Sequence, residues 1–480
     1  MQTKEKSNKR TSKAVKKDNQ IPKSDEIAPI SIYARPSSFP EGSIFVNYNF
    51  LKLWGAQIFS QIAIYLLYFV LAVEIYKETG SNQSVSYLMI SFGLASLLFG
   101  AFAGVFVDHA NKKAIMLASN LFRFGLTLVV LGATHSFIIT ILLVFLLNSI
   151  TQFFLPAEAS TMPKIVKGKN LLTANSLFTL SLYGAQMTGY VLGGFLLNSH
   201  GFTISIITIA FMFGIAALFN FFLKIPNDKY QKLPVTDMAH EVFTELKEGL
   251  SYIKKNKKVR IPLAYMSGSM VMVAVFFTLV PGYGANILGI APEDTSFYLI
   301  APLAVGMILG AITINYLKKR MSLEKITSTG IFLSAILLFI LAINRRIPFA
   351  KIREATTDKI DPTMAIEFHN AVNHLPDKVN KIFGLDVLLF SMILMVLLGL
   401  ANSFVVIVNN TRLQADTKEE MRGRVYGVLQ TIVTAIAAVP VVLSGYFADR
   451  YGIGKVLIAI AAFVIIFHLF IRVRNKKSIF

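Results

Sequence analysis

The sequence predicts an all-α membrane protein of twelve transmembrane helices arranged as two pseudo-symmetric six-helix bundles. Three observations carry this reading. Of 480 residues, 54% are hydrophobic and only 15% are charged, with a mean hydropathy of +0.59; soluble domains carry far more charge. Unbroken apolar runs of about 20 residues, long enough to cross a bilayer core, recur from Phe50 to Ile471. Because lipid offers no hydrogen-bond partners and the runs are continuous rather than alternating, they are helices. Finally, short strings recur between the two halves: "LLNSI" at Leu146–Ile150 returns as "LANSF" at Leu400–Phe404, and "GGFLLNSHGF" at Gly193–Phe202 returns as "SGYFADRYGI" at Ser444–Ile453. Duplicated halves with a site at their interface are a common construction of secondary transporters.

The first fifty residues carry nine bases from Lys4 to Arg35 and no apolar core or cleavage site of a signal peptide. Residues 1–49 are therefore expected to be a solvated basic tail, with no aromatic interleaving to suggest nucleic acid. The twelve spans are expected at 52–76, 84–107, 113–133, 136–156, 171–197, 203–224, 261–286, 296–317, 325–344, 385–408, 421–447 and 454–473. Connectors holding Lys112 and Lys113, then Lys164, Lys167 and Lys169, then Lys318, Lys319 and Arg320 alternate with connectors that have no Lys or Arg, at 133–136, 199–202 and 289–295. The positive-inside bias places both termini in the cytoplasm. The halves are then 50–224 and 261–474, with a short tail at 475–480. A linker, 225–260, joins the halves. In it Met238, Val242, Leu246, Leu250 and Ile253 recur at helical steps, which predicts an amphipathic helix lying on the membrane surface, its basic end among anionic headgroups. The mixed-charge stretch 345–384 should face outside; His369 and His374 within it are too poorly spaced for a shared metal.

Cysteine is absent, which excludes disulfides and thiolate metal sites. No glycine-rich loop ends in Gly-Lys-Ser/Thr, so no phosphate cradle for an ATP-driven cycle is present. The scattered histidines give no metal spacing. The reading is of a protein that is not an enzyme and needs no cofactor.

Mechanism is carried by "GAFAGVFVDHANKK", Gly100–Lys113. Asp108 ends an apolar span in partly desolvated surroundings and needs a cationic partner to stay ionised. Gly104, Asp108, Lys112 and Lys113, between spans two and three, resemble the loop signature of the major facilitator superfamily. His109 stands where Arg or Lys is usual, and Asn111 where the turn glycine is usual. The resemblance implies a partner for Asp108 at the start of span eleven, where "EEMRGRVYG" offers Arg422 and Arg424; such a pair would latch the cytoplasmic side. "GYVLGG" in span five resembles the antiporter signature of this superfamily through Gly189, Gly193 and Gly194, with Tyr190 in place of proline. Close helix packing explains the same glycines. "FLKLWGAQIFSQ", "LPAEASTMPKIVKGKNLLTANSL", "EGLSYIKKNKKVR" and "RGRVYGVLQ" are similar to strings of the macrolide-efflux and enterobactin-exporter-like branch.

Because spans one, four, seven and ten line the cavity in that superfamily, Gln57, Gln61, Asn148, Gln152, Asn402 and Asn409 are candidates to touch substrate, or else to pack between helices. Arg123, within span three, should be paired or snorkel toward the cytoplasm. Glu74, near the outer end of span one, reads as the only acid well inside a span that a proton could use from outside and is a candidate proton carrier. The resemblance implies export of a small amphipathic molecule across a bacterial inner membrane by a monomeric, proton-coupled transporter in contact with membrane lipids. Movement of lysophospholipid, or a receptor or scaffold that transports nothing, are the rival readings. An apolar, aromatic cavity would favour the first, a basic headgroup pocket the second, and a blocked cavity the third.

Overall fold

The computed structural model describes residues 44–133, 136–166, 168, 170–226, 235–344 and 387–476. Most of the basic tail and the 345–384 stretch, with His369 and His374, lie outside the described residues. Within the described residues all regular structure is helical: α1 (Tyr48–Thr79), α2 (Asn82–Asp108), α3 (Lys112–Ala133), α4 (Phe137–Ile165), α5 (Asn170–Phe222), α6 (Val235–Lys255), α7 (Lys257–Tyr283), α8 (Ala301–Leu317), α9 (Leu323–Ile343), α10 (Val387–Asp416), α11 (Glu419–Tyr451) and α12 (Ile453–Lys476). Eleven of these segments are long and apolar enough to cross a bilayer, α6 not among them. At 53 residues, a straight α5 would run about 80 Å, more than twice the hydrocarbon core. It reverses at Gly201, whose φ of 76° breaks the helix in a conformation that only glycine adopts without strain. Spans five and six are thus its two arms.

Local chemistry sets the boundaries. Asn47 caps α1 by accepting from the N–H groups of Asn49 and Phe50, and Gly80 ends it in the left-handed region, which relieves orphan groups at both ends. Span four runs nine residues past its expected end, because α4 continues through Pro156 and Pro163. The hydroxyls of Ser160 and Thr161 bond back to the carbonyls of Pro156 and Ala157. A membrane helix tolerates such prolines where neighbouring groups satisfy the freed backbone.

In the first half α5 lies along α1 and α3, and α2 lies on α4; in the second, α10 packs on α7, α8 and α9, and α12 on α9. The halves meet mainly along α2 and α11. The face bearing α6, the end of α2 and the start of α11 is called here the linker face, and the opposite one the distal face. Helix α6 is amphipathic as expected, but its apolar stripe covers protein rather than lipid. Leu246, Tyr252 and Ile253 join Leu413, Val425, Val428 and Leu429 in one cluster. Gly249 is pressed so near α11 that a Cβ there would lie 2.8 Å from Val428 and 3.1 Å from the Arg424 carbonyl.

Candidate functional site: a central cavity and its two gates

Between the halves lies a cavity of about 390 Å³, walled by Tyr68, Phe92, Tyr190, Phe277, Met89 and Met270 among others. Tyr190 of α5 and Phe277 of α7 touch across the interface, with ring centroids 4.2 Å apart, and Tyr68 and Phe92 touch within the first half at 3.9 Å. Gln186 and Thr434 add polarity, and no charged side chain lines the wall among the described residues. The volume falls in the range of drug-sized sites, which are mostly apolar with a few polar groups that orient the ligand. Tyr190 stands where the glycine signature of span five usually has proline, so that departure supplies a cavity wall.

None of the six polar cavity candidates is among the lining residues. The hydrogen bonds these amides make run to neighbouring helices or to their own. Gln57 donates to the Phe178 carbonyl, Gln152 to the Asn148 carbonyl and Asn409 to Thr327 and the Val405 carbonyl. Asn402 accepts from Ser269, and Gln61 is buried in α1. Asn148 comes nearest, since it accepts from the hydroxyl of Tyr68 in the cavity wall.

Behind that wall is a polar cluster of the first half. Arg123 has no exposure. It donates to Ser60 Oγ at 2.9 Å and the Ser119 carbonyl at 3.3 Å, and its guanidinium lies 4.4 Å from the Phe154 ring centroid and 5.3 Å from that of Phe213. It neither snorkels nor forms a direct ion pair. Within its electrostatic reach are Tyr68 and Glu158. Glu158, on α4, is only 2% exposed; its Oε1 and Arg123 Nη2 lack hydrogen-bond partners among the described residues. Sequence reasoning missed Glu158 because it ended span four at Pro156, two residues too soon. Glu158 is thus a second acid within an apolar helix, besides Glu74. Glu74 is half-buried at the distal end of α1, one turn from the Lys77–Glu293 ion pair of 3.4 Å.

The distal face is closed. Asp449, at the end of α11, takes four hydrogen bonds from the start of α2: Ser81 Oγ (2.7 Å), Asn82 N (2.9 Å), Asn82 Nδ2 (2.8 Å) and Gln83 N (3.0 Å). One half thereby caps a helix of the other, with the acid at the positive end of its dipole. Asn198 donates to Asp294 at 2.7 Å and Asn286 to Tyr76 at 2.8 Å, also across the halves. The glycines show the same closure. A Cβ on Gly445 would lie 2.7 Å from the Asn82 carbonyl, and one on Gly194 would overlap Ser296 at the start of span eight. Gly189 and Gly193 instead let α5 approach Tyr65 and Phe69 of α1. The glycine signature therefore serves close packing within a half at two positions and across the halves at the third.

On the linker face the same two helices have separated. A Cβ on Gly104 of α2, or on Gly423 or Gly427 of α11, would meet nothing within 4 Å. Asp108 is exposed and forms no ion pair with Arg422 or Arg424 among the described residues. Arg422 donates to the Gln414 carbonyl at 3.2 Å. Arg424 pairs with Glu248 at 2.6 Å and with Glu245 at 3.8 Å, both on α6. The rest of the loop signature is local structure. Lys112, 4% exposed, donates to the carbonyls of Val107 and Asp108 at the end of α2, and His109 Nδ1 lies 2.9 Å from the Val105 carbonyl. Asn111 accepts from Ala114 N at 2.9 Å, so it starts α3 as a cap, the use to which asparagine is suited. Lys113 lies over the Phe221 ring, 5.9 Å from its centroid.

Comparison with known proteins agrees with this architecture. The profile of the Major Facilitator Superfamily matches residues 53–344. The chain is 25% identical over 320 residues to the uncharacterized MFS-type transporter YkuC of Bacillus subtilis (strain 168), covering 62% of this chain and 71% of that one. It is 28% identical over 264 residues to the lysophospholipid transporter LplT of Photorhabdus laumondii, covering 53% of this chain and 63% of that one. Identity to macrolide efflux protein A of Streptococcus pyogenes is 22% over 415 residues, covering 84% and 90%. Among solved structures, a bacterial homolog of the human lysosomal transporter Spinster, inward-facing and unoccupied, superposes with a TM-score of 0.65 at 14% identity, covering 92% of this chain and 98% of that one.

Proposed function

Because the chain belongs to the major facilitator superfamily, we propose that it is a proton-coupled secondary transporter exporting a small amphipathic molecule by alternating access. The observation that carries the substrate class is the central cavity, aromatic and apolar and without Lys or Arg in its wall. A phospholipid would bring a phosphate that finds no cation there, whereas a hydrophobic drug-like molecule finds ring faces and the amide of Gln186. Similarity to a macrolide efflux protein over most of the chain supports the same class.

Coupling is assigned to Glu158. A carboxylate oxygen without a donor is a place for a proton, and Arg123 nearby makes protonation change the charge of the cluster. The effect can reach substrate through Tyr68, which lies in the cavity wall and within the field of Arg123. The linker face is taken as cytoplasmic, and Arg424 as a charge exchanged between two partners. It sits on Glu245 and Glu248 while the linker face is open, and on Asp108 when that face closes.

The test is transport in proteoliposomes of a macrolide, a lipophilic aromatic cation and a lysophospholipid, with and without an imposed pH gradient. Gradient-dependent movement of either drug-like molecule is expected. Movement of the lysophospholipid alone would replace this reading with the lipid one, and movement of none would favour a receptor or scaffold.

A further inference from the structure

On the outer wall of the second half, away from the cavity, a groove of about 490 Å³ opens between α9 and α12. Its head lies at the linker face, where Lys325, Ser328 and Thr329 of α9 meet Arg472 of α12; its floor continues along Phe332 and Ile336. Lys325 and Arg472 are both exposed, and neither forms an ion pair among the described residues. No acid lines the groove, and the neighbouring Glu324 is engaged by Arg412 at 3.3 Å. The hydroxyls are also unengaged. On the neighbouring α8 and α10, Thr313, Ser391 and Thr411 bond back to a carbonyl of the preceding turn. Ser328 and Thr329 form no such bond. Four donors therefore line one groove in which no acid is found among the described residues.

The depth of the groove matches one leaflet. From Lys325 to Ile336 is eleven residues, about 16 Å along a helix, and half a hydrocarbon core is about 15 Å. Phe332 and Ile336 are 37% and 54% exposed, so the floor is apolar surface turned to lipid. Snorkelling alone would explain one long cation at a helix end. It does not explain two cations on different helices with two free hydroxyls between them, above an apolar channel. We propose that this groove binds one anionic phospholipid of the linker-side leaflet, its phosphate held by Lys325, Arg472 and the two hydroxyls and one acyl chain laid along Phe332 and Ile336. The site is separate from the transport cavity and does not depend on what the cavity carries.

The test uses the full chain reconstituted in vesicles of phosphatidylcholine with one quarter phosphatidylglycerol, then extracted and weighed by native mass spectrometry. The wild-type chain should retain one phosphatidylglycerol in preference to phosphatidylcholine. At about fivefold per surface cation, Lys325→Gln with Arg472→Gln should weaken that preference roughly 25-fold. Lys318→Gln with Lys319→Gln, exposed cations on the same face outside the groove, should leave it intact. Equal loss in both variants would mean general charge attraction and overturn the site, as would no loss in either. Displacement of the lipid by millimolar inorganic phosphate, at matched ionic strength, would make this a free-phosphate site and overturn the lipid assignment.

Discussion

Arg123 and Glu158 are the residues whose surroundings demand most explanation. Both are buried in the first half, with Arg123 held by Ser60, the Ser119 carbonyl and two rings while its Nη2 has no hydrogen-bond partner among the described residues. Losing a buried hydrogen bond to a charged group costs about 1.5–3 kcal/mol, and Glu158 makes no such bond through its Oε1 among the described residues. Arg123→Met is therefore expected to lower thermal stability in detergent by that order, read as a fall in melting temperature. Glu158→Gln keeps the shape and removes the titration. It should abolish pH-driven accumulation in proteoliposomes while leaving substrate binding and melting temperature near wild type; Glu74→Gln should keep the coupling. Coupled transport surviving in Glu158→Gln would take the proton away from this site. The sequence announced Arg123, because a cation within an apolar run is conspicuous. It hid Glu158, because Pro156 read as a stop. The cavity was hidden for a related reason. Polar residues in a span draw attention as ligands, yet a buried amide bonds more readily to the next helix, and the wall fell to Tyr, Phe and Met that look like ordinary lipid-facing residues.

At the scale of elements, α6 shows how far periodicity reaches. The spacing of Val242, Leu246 and Ile253 gave the helix, but not what would cover it. Leu250, counted in that stripe, is 49% exposed, whereas Gly249, which no hydrophobic count includes, is buried against α11. A helix that fits by a missing side chain is invisible to a pattern of present ones. Gly249→Val has no room beside Val428 and the Arg424 carbonyl, and overpacking of this kind costs about 1–3 kcal/mol. It should lift α6 from α11. Thiol labelling of an Ile253→Cys reporter, buried in the parent, should then rise several-fold, and unchanged labelling would show that the helix tolerates the bulk. The turn at Gly201 falls between the spans expected at 171–197 and 203–224, whereas α1 runs from Tyr48 to Thr79, past both ends of the expected 52–76, to the cap at Asn47 and to Gly80. The boundary was also lost where α4 runs on through proline.

For the whole molecule the question is which face is open, and α2 and α11 hold both answers. Their distal ends are locked through Asp449, while at their linker ends Gly104, Gly423 and Gly427 face empty space and Asp108 is exposed. Small residues with nothing against them suit a second arrangement in which these ends close, because glycines let helices approach. Two states of similar free energy then respond to any contact made in only one of them. Asp449→Asn loses the charge at a helix N-terminus and should favour the distal-open state; Asp108→Asn, whose charge is idle here, should favour the linker-open state. A contact coupling of about 1–3 kcal/mol shifts such a balance roughly 5–150-fold. The chain has no cysteine, so Val273→Cys in the cavity wall reports access to an impermeant thiol reagent from either side. Distal labelling should rise in Asp449→Asn and fall in Asp108→Asn. The two sites are 26 residues apart on α2, about 39 Å, so in the double variant the effects should add and largely cancel. If Asp449→Asn leaves the ratio unchanged, the distal cap is packing and not a gate. If Asp108→Asn alone does so, the acid only orders its own loop, and closure of the linker face must rest on helix packing around Gly104.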